Sequence, residues 1–141
     1  MSGTTIREIY CREIAIEDLT VYLASSKKGA VRTGITLKKE CDCIDYFAER
    51  LPGRKLLKGE PENRELLQAV EAALLNRPTA GDLKFDVSLT SFQWKALRTI
   101  TLIPFGETRT YGEIAALMGK PRAPRAVGQA MGKNPFPLVF P

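Results

Sequence analysis

The stretch that decides the fold of this chain is "TYGEIAALMGKPRAPRAVGQAMG", residues 110–132. It opens with Thr110 and places Glu113 three residues later, which is the capping-box pattern of a helix start. Gly119 follows the apolar residues of this helix, and glycine is common just after the end of a helix. Pro124 suits the first turn of a second helix. Two short helices joined by a turn that contains glycine are typical of a helix-turn-helix motif.

Positive charge is concentrated in the half of the chain that contains this motif. Residues 90–141 hold seven of the 21 Lys and Arg residues but two of the 16 acidic residues, so the whole net charge of +5 falls there. A basic segment that carries a helix-turn-helix predicts a polyanionic partner, and double-stranded DNA is the first candidate.

Small residues surround an arginine on the second helix of the motif. At about 100° per residue, Arg125 and Gln129 fall on the side opposite Val127. The residues beside this pair are small: Ala126, Gly128, Ala130 and Gly132. The minor groove of B-DNA is only about 6 Å wide, so a helix that approaches it closely must carry short side chains. This face therefore predicts contact with a narrow groove, and close packing of two helices is the alternative that the pattern leaves open.

The first half of the chain has a different character. Strand-like segments, a hairpin turn at Gly29 and helical periodicity in residues 63–76 predict a small mixed α/β domain. We therefore predict an α+β protein with two domains, residues 1–85 and residues 86–141.

The composition excludes several other classes of protein. Cys11, Cys41 and Cys43, in a chain without histidine, predict reduced thiols rather than a metal site. No run approaches the roughly eighteen apolar residues that span a bilayer, and residues 1–10 lack the apolar stretch of a secretory signal. We expect a cytoplasmic protein with no metal and no membrane partner.

A family resemblance is carried by three segments of the second half: "FQWKALRTITLIPFGETRTYGEIAALMG", "PRAVGQAMGKNP" and the closing "FPLVFP". Together they resemble the C-terminal domain of the O6-alkylguanine-DNA alkyltransferases. The resemblance implies a monomer that flips O6-methylguanine out of duplex DNA and takes its alkyl group once, without a cofactor. It also implies a ribonuclease H-like N-terminal domain and a winged-helix-like C-terminal domain.

The same resemblance assigns roles to individual residues. Arg125 would enter the duplex and fill the gap left by the extruded base, and Tyr111 would press on the 3′ phosphate and contact the guanine. Asn134 would brace the turn of the active site, while Met131 and Pro137 would line the pocket for the alkylated base. Further DNA contacts would come from three residues of the second helix: Ala126, Gly128 and Gln129.

The reactive residue is expected just beyond the sequence. In the family, the apolar run is followed at once by Cys-His-Arg, whose cysteine is the nucleophile, so the nucleophile would follow Pro141 and the 141 residues alone would be inactive. Three accounts would explain why the sequence ends at this position. The first is a chance stop codon, the second is a deliberately shortened chain, and the third is a UGA codon for selenocysteine that has been read as a stop. We favour selenocysteine, because a random truncation has no reason to fall at the position of the nucleophile. A selenol is also more acidic than a thiol and a better nucleophile, so it suits alkyl transfer.

Two other functions are compatible with these motifs. A non-catalytic protein that binds alkylated DNA would carry a different residue in place of the cysteine. A helix-turn-helix regulator would read bases in the major groove, but it would need longer side chains than the glycine and alanine of the second helix. The alkyltransferase interpretation is therefore the one that the sequence favours.

Overall fold

The computed structural model describes the following residues: 7–38, 41–75, 83–103 and 107–136. They belong to two compact units that divide between Val87 and Ser88, two residues beyond the boundary expected from the sequence. The described residues contain a four-stranded sheet and five α-helices, which confirms the predicted α+β class.

The first unit is built on a sheet with the strand order β3-β2-β1-β4. Its strands are β1 (Glu8–Ile16), β2 (Leu19–Ser26), β3 (Gly29–Thr36) and β4 (Lys55–Lys58). The first three pair antiparallel, and β4 joins β1 in parallel orientation. The sequence predicts the hairpin of β2 and β3 but not β4, because a strand of four residues is specified by its pairing with β1 rather than by a local pattern.

Helices complete the first unit and bury its central strand. Their bounds are α1 (Cys43–Arg50) and α2 (Arg64–Leu74), the latter preceded by a 3-10 turn. Tyr22 of β2 stacks on Tyr46 of α1 with 4.0 Å between ring centroids, and Phe47 meets Tyr22 edge-on. Val21 and Leu23 lie on the other face of β2 because strand side chains alternate, and α2 also packs against this strand.

An extended segment closes the first unit. The Ala30 amide donates to the Lys84 carbonyl at 2.8 Å, and the Asp86 amide donates to the Ala30 carbonyl at 2.7 Å. The Asp86 carboxylate also accepts hydrogen bonds from Arg7 and Ser26. These contacts bind the connector to the sheet and explain why the first unit extends slightly past residue 85.

The second unit contains three helices that pack against one another: α3 (Ser91–Ile100), α4 (Tyr111–Leu117) and α5 (Pro124–Gly132). A capping box starts α4, because Thr110 Oγ1 accepts a hydrogen bond from the Glu113 amide at 3.1 Å while the Glu113 carboxylate reaches back to Thr110. The capping box predicted from the sequence is thus confirmed.

The turn between α4 and α5 depends on a glycine. Gly119 has a φ of +76°, in the left-handed region that other residues adopt only with strain. The Lys120 amide donates to the Ala115 carbonyl at 2.8 Å, which satisfies the end of α4. With Pro124 in the first turn of α5, the helix–turn–helix order predicted from residues 110–132 is confirmed.

Candidate functional site

One face of α5 is exposed and carries an arginine. Arg125 and Gln129 are exposed, Val127 is fully buried, and Ala126 and Gly128 are partly buried. The guanidinium of Arg125 forms no ion pair with another residue of the described ranges. Its charge is therefore available to an external anion.

The buried face of α5 is wider than the sequence predicts. Ala130 is expected beside Arg125, yet it is only 4% exposed and belongs to the core. Three residues turn a helix by about 300°, so Ala130 lies only about 60° from Val127. The exposed residues of α5 are therefore Pro124, Arg125, Gln129 and Gly132, and the strip that contains Arg125 is narrower than predicted.

The charge around α5 is positive. Lys120 and Arg122, in the turn before α5, and Lys133, at its C-terminal end, are exposed. Arg109 differs, because its Nη2 lies 3.3 Å from Glu107 Oε1 and its Nε lies 3.8 Å from Glu113 Oε2. The basic residues that remain uncompensated in this unit thus lie mainly near α5 and the turn that precedes it.

Tyr111 lies against α5 from the first turn of α4. Its side chain is 52% exposed, and its ring covers Gly128: a Cβ atom at that glycine would lie 3.1 Å from both Cδ2 and Cε2 of the ring. The fold thus brings Tyr111 to the helix that carries Arg125, although the two helices are separate in sequence.

The segment after α5 is held by Asn134 and Phe136. The Oδ1 atom of Asn134 accepts a hydrogen bond from the Phe136 amide at 2.8 Å, and the Asn134 amide donates to the Met131 carbonyl at 3.2 Å. The Phe136 side chain is fully buried, whereas Met131 is partly buried. Pro137, which the resemblance assigns to the substrate pocket, lies outside the described residues.

Replacing Asn134 with alanine should loosen this segment. The Phe136 amide would lose its side-chain acceptor, at an expected cost of about 1 kcal/mol in the free energy of unfolding. Amide hydrogen exchange at Phe136 should speed up, and Asn134→Asp should retain most of the protection because a carboxylate oxygen can take the same hydrogen bond. Unchanged exchange in Asn134→Ala would contradict the bracing role.

The three cysteines lie in the first unit, away from this segment in sequence. Cys11 and Cys43 are 1% and 2% exposed. Burial raises the pKa of Cys11 to about 12 and also raises the pKa of Cys43. Since the thiolate is the reactive form, both are poor nucleophiles at neutral pH.

Thiol labelling should separate these cysteines. At neutral pH we expect a disulfide reagent to modify the partly exposed Cys41 quickly, while Cys11 and Cys43 react only after unfolding. Because the folded state keeps Cys11 protonated, its contribution to stability is present below the ordinary thiol pKa of about 8.5 and is lost as the pH rises towards about 12. Fast labelling of all three thiols in the native protein would contradict this picture.

Four cations of the first unit line a cavity of about 480 Å³ that the sequence does not predict: Lys27, Lys28, Arg64 and Lys84. They come from three separate segments of a half-chain whose charges balance overall. Glu62 and Glu65 line the same cavity and offset half of this charge. The cavity is therefore less strongly cationic than the surface around α5.

The described part of the chain holds neither a metal-binding cluster nor a membrane-spanning helix. There, no three or more Cys, Asp or Glu side chains are grouped so as to hold a metal ion. Within the same residues, every helix is too short or too polar to cross a membrane.

These features define a helix-turn-helix protein whose second helix carries an exposed arginine among small residues. A family model described as "6-O-methylguanine DNA methyltransferase, DNA binding domain" matches residues 91–141. The methylated-DNA–protein-cysteine methyltransferase of Methanosarcina barkeri is 44% identical over 121 residues, which cover 86% of this chain and 72% of that protein. The inducible enzyme of the same name from Bacillus subtilis is 31% identical over 137 residues, covering 94% of this chain and 74% of that protein. The chain belongs to the methylated-DNA–protein-cysteine methyltransferase family.

Solved structures agree with this assignment. The crystal structure of the Mycobacterium tuberculosis O6-methylguanine methyltransferase superposes with a TM-score of 0.66 at 27% identity, covering 94% of this chain and 75% of that one. A second structure, of the Mycobacterium tuberculosis OGT in complex with DNA, has the same TM-score and identity and covers 95% of this chain and 74% of that one. The family resemblance inferred from the sequence is confirmed.

Proposed function

We propose that this chain is a DNA-repair protein that flips O6-alkylguanine out of duplex DNA and presents it for one stoichiometric alkyl transfer to a protein nucleophile. The observation that carries the proposal is the exposed Arg125 among small residues on α5, in a chain of this family. In this proposal the first unit has a ribonuclease H-like fold, the second is winged-helix-like, and the protein acts as a cytoplasmic monomer.

Arg125 has the central role in extruding the base. Removing a base from the stack costs a few kcal/mol in lost stacking and pairing. A guanidinium that fills the vacated space offsets part of that cost, and its charge also favours the surrounding phosphates. Its exposure and its lack of a carboxylate partner among the described residues fit this role.

The residues around Arg125 share the remaining tasks. Ala126, Gly128 and Gln129 line the DNA along α5, and Tyr111 contacts the 3′ phosphate and the extruded guanine. The half-exposed ring of Tyr111 beside Gly128 supports this pairing of roles. The pocket for the alkylated base is formed by Met131, Asn134 and Pro137.

The proposal places the acceptor nucleophile directly after Pro141, where the family motif Cys-His-Arg is expected, as cysteine or selenocysteine. Support comes from the cysteines inside the sequence, since all three lie in the first unit and Cys11 and Cys43 are buried. The 141 residues should therefore bind the lesion without accepting the alkyl group.

The test compares three DNA ligands at one fixed salt concentration: a duplex with a single O6-methylguanine, the same duplex with guanine, and the lesion-bearing single strand. We expect the lesion duplex to bind about tenfold more tightly than the guanine duplex, which corresponds to about 1.4 kcal/mol. A 2-aminopurine next to the lesion should brighten as the stack opens. Equal affinities for both duplexes, with no change in fluorescence, would overturn the proposal.

Alkyl transfer is measured with the same duplex carrying a radiolabelled methyl group. The 141 residues should retain no label, and the product of the gene read past Pro141 should retain one methyl group per molecule. Lesion binding without transfer by that longer product would instead indicate a non-catalytic lesion-binding protein.

A further inference from the structure

We propose that Gly128 is a positioning residue for Tyr111: the missing side chain at this site lets the tyrosine ring lie directly against α5 and so determines where its hydroxyl meets DNA. The inference rests on the proposed function, because Tyr111 is there the residue that contacts the phosphate and the extruded guanine. Gly128 would act through Tyr111 rather than only through its own small size in the groove.

The contact between the two residues leaves less than the usual room for a side chain at position 128. A Cβ atom there would lie 3.1 Å from Tyr111 Cδ2, 3.1 Å from Cε2 and 3.9 Å from Cζ. Non-bonded carbon atoms are most favourable at about 3.5–4.0 Å, so the ring would have to retreat by a few tenths of an ångström. The ring thus overlaps part of the space that a methyl group would need.

The backbone gives no other reason for glycine at this position. Gly128 lies inside α5, and its φ is not among the positive values seen at Gly29, Gly53 and Gly119. In a helix interior, glycine is less favourable than alanine by about 1 kcal/mol. A residue that costs helix stability here needs a reason, and the ring of Tyr111 supplies one.

The Tyr111 ring can move more easily than the backbone that carries it. The Tyr111 backbone is held in the first turn of α4 by the capping box of Thr110 and Glu113 and by the Ile114 amide, which donates to the Thr110 carbonyl at 3.0 Å. A methyl group at Gly128 would therefore change the side-chain torsions of Tyr111 and move the ring away from α5 by a few tenths of an ångström. The Tyr111 hydroxyl, at the far end of the ring, would move with it.

The test is a double-mutant cycle on the lesion preference, defined as the ratio of affinities for the O6-methylguanine duplex and the guanine duplex. The variants are Gly128→Ala, Tyr111→Ala and the combination. We expect Gly128→Ala alone to lower the preference about fivefold to tenfold, and to have no further effect once Tyr111 is alanine. Equal losses in both backgrounds would show that the methyl group obstructs the groove directly, and would overturn the inference.

Gly132→Ala is the matched control. It makes the same substitution on the same helix, but no atom lies within 4 Å of the added Cβ. Because Gly132 lies on the exposed strip of α5, its methyl group should lower the affinity for both duplexes by the same factor and leave their ratio, the lesion preference, unchanged. A drop as large as that of Gly128→Ala would overturn the role of the ring.

A spectroscopic measurement on the free protein separates this inference from the proposed function. Nuclear Overhauser effects between the Gly128 α protons and the Tyr111 ring protons should be strong in the unchanged chain and weak in Gly128→Ala. Their absence from the unchanged chain would overturn the inference directly. If they are present but the unchanged chain shows no lesion preference, the proposed function fails and the role of Gly128 in recognition fails with it.

Discussion

Replacing Arg125 with alanine should weaken binding to an O6-methylguanine duplex by about 30-fold to 100-fold, equivalent to about 2–3 kcal/mol. Extruding a base costs a few kcal/mol, and without the guanidinium the vacated space has no occupant. A single strand has no base stack to open. The affinity of Arg125→Ala for the single strand should therefore fall only about twofold to fivefold, which is the loss expected for one phosphate contact. Fluorescence anisotropy titrations at one fixed salt concentration measure both values.

The matched control for this prediction is Arg54→Ala. Arg54 is an exposed arginine of the first unit, so the substitution removes the same charge from another part of the chain. Arg54→Ala should change the affinity for the lesion duplex, and that for the single strand, by less than about twofold to threefold. Losses of equal size on duplex and single strand in Arg125→Ala would show that Arg125 is an ordinary phosphate contact and does not fill a gap.

Replacing Phe136 with alanine should destabilise the second unit by about 3–5 kcal/mol, the usual range for a fully buried phenylalanine. Phe136 has no exposed surface and stands at the end of the described chain, two residues after Asn134. The cavity would remain partly unfilled, because close-packed helices relax little. The free energy of unfolding of a whole domain is only about 5–15 kcal/mol. The variant should therefore be close to its unfolding transition at moderate temperature.

Urea unfolding and amide exchange across residues 91–136 measure this loss. Leu117→Ala is the control, because Leu117 belongs to the same unit but is 62% exposed, and its removal should cost less than about 1 kcal/mol. A cost below about 1 kcal/mol for Phe136→Ala would mean that its side chain is not part of the core.

The helix-turn-helix was predictable because its signals are local. The capping box of Thr110 and Glu113, the glycine after α4 and the proline in the first turn of α5 each act within a few residues. Their effects depend on backbone geometry that any helix shares, and the structure contains each of them where the sequence indicates. The short strand β4 has no such signal and depends on its partner β1.

Site residues were predictable to different degrees. The exposure of Arg125 and Gln129 follows from the helical period relative to Val127, and the same period also accounts for the buried Ala130, which lies about 60° from Val127. The packing of Tyr111 on Gly128 had no sequence signal, because seventeen positions and a turn separate the two residues. Glycine in a helix was the one available hint that something lies close.

By itself, the sequence determined where α4 and α5 begin and end, where positive charge is concentrated and which family the chain resembles. All three follow from residues that are neighbours along the chain or from composition, which folding does not alter. Only the tertiary structure decided that the Tyr111 ring lies on Gly128, that four cations of the first unit share one cavity and that Cys11 is too buried to ionise at neutral pH. These properties depend on which distant residues become neighbours, and that is set by how the apolar faces of the helices and the sheet pack together.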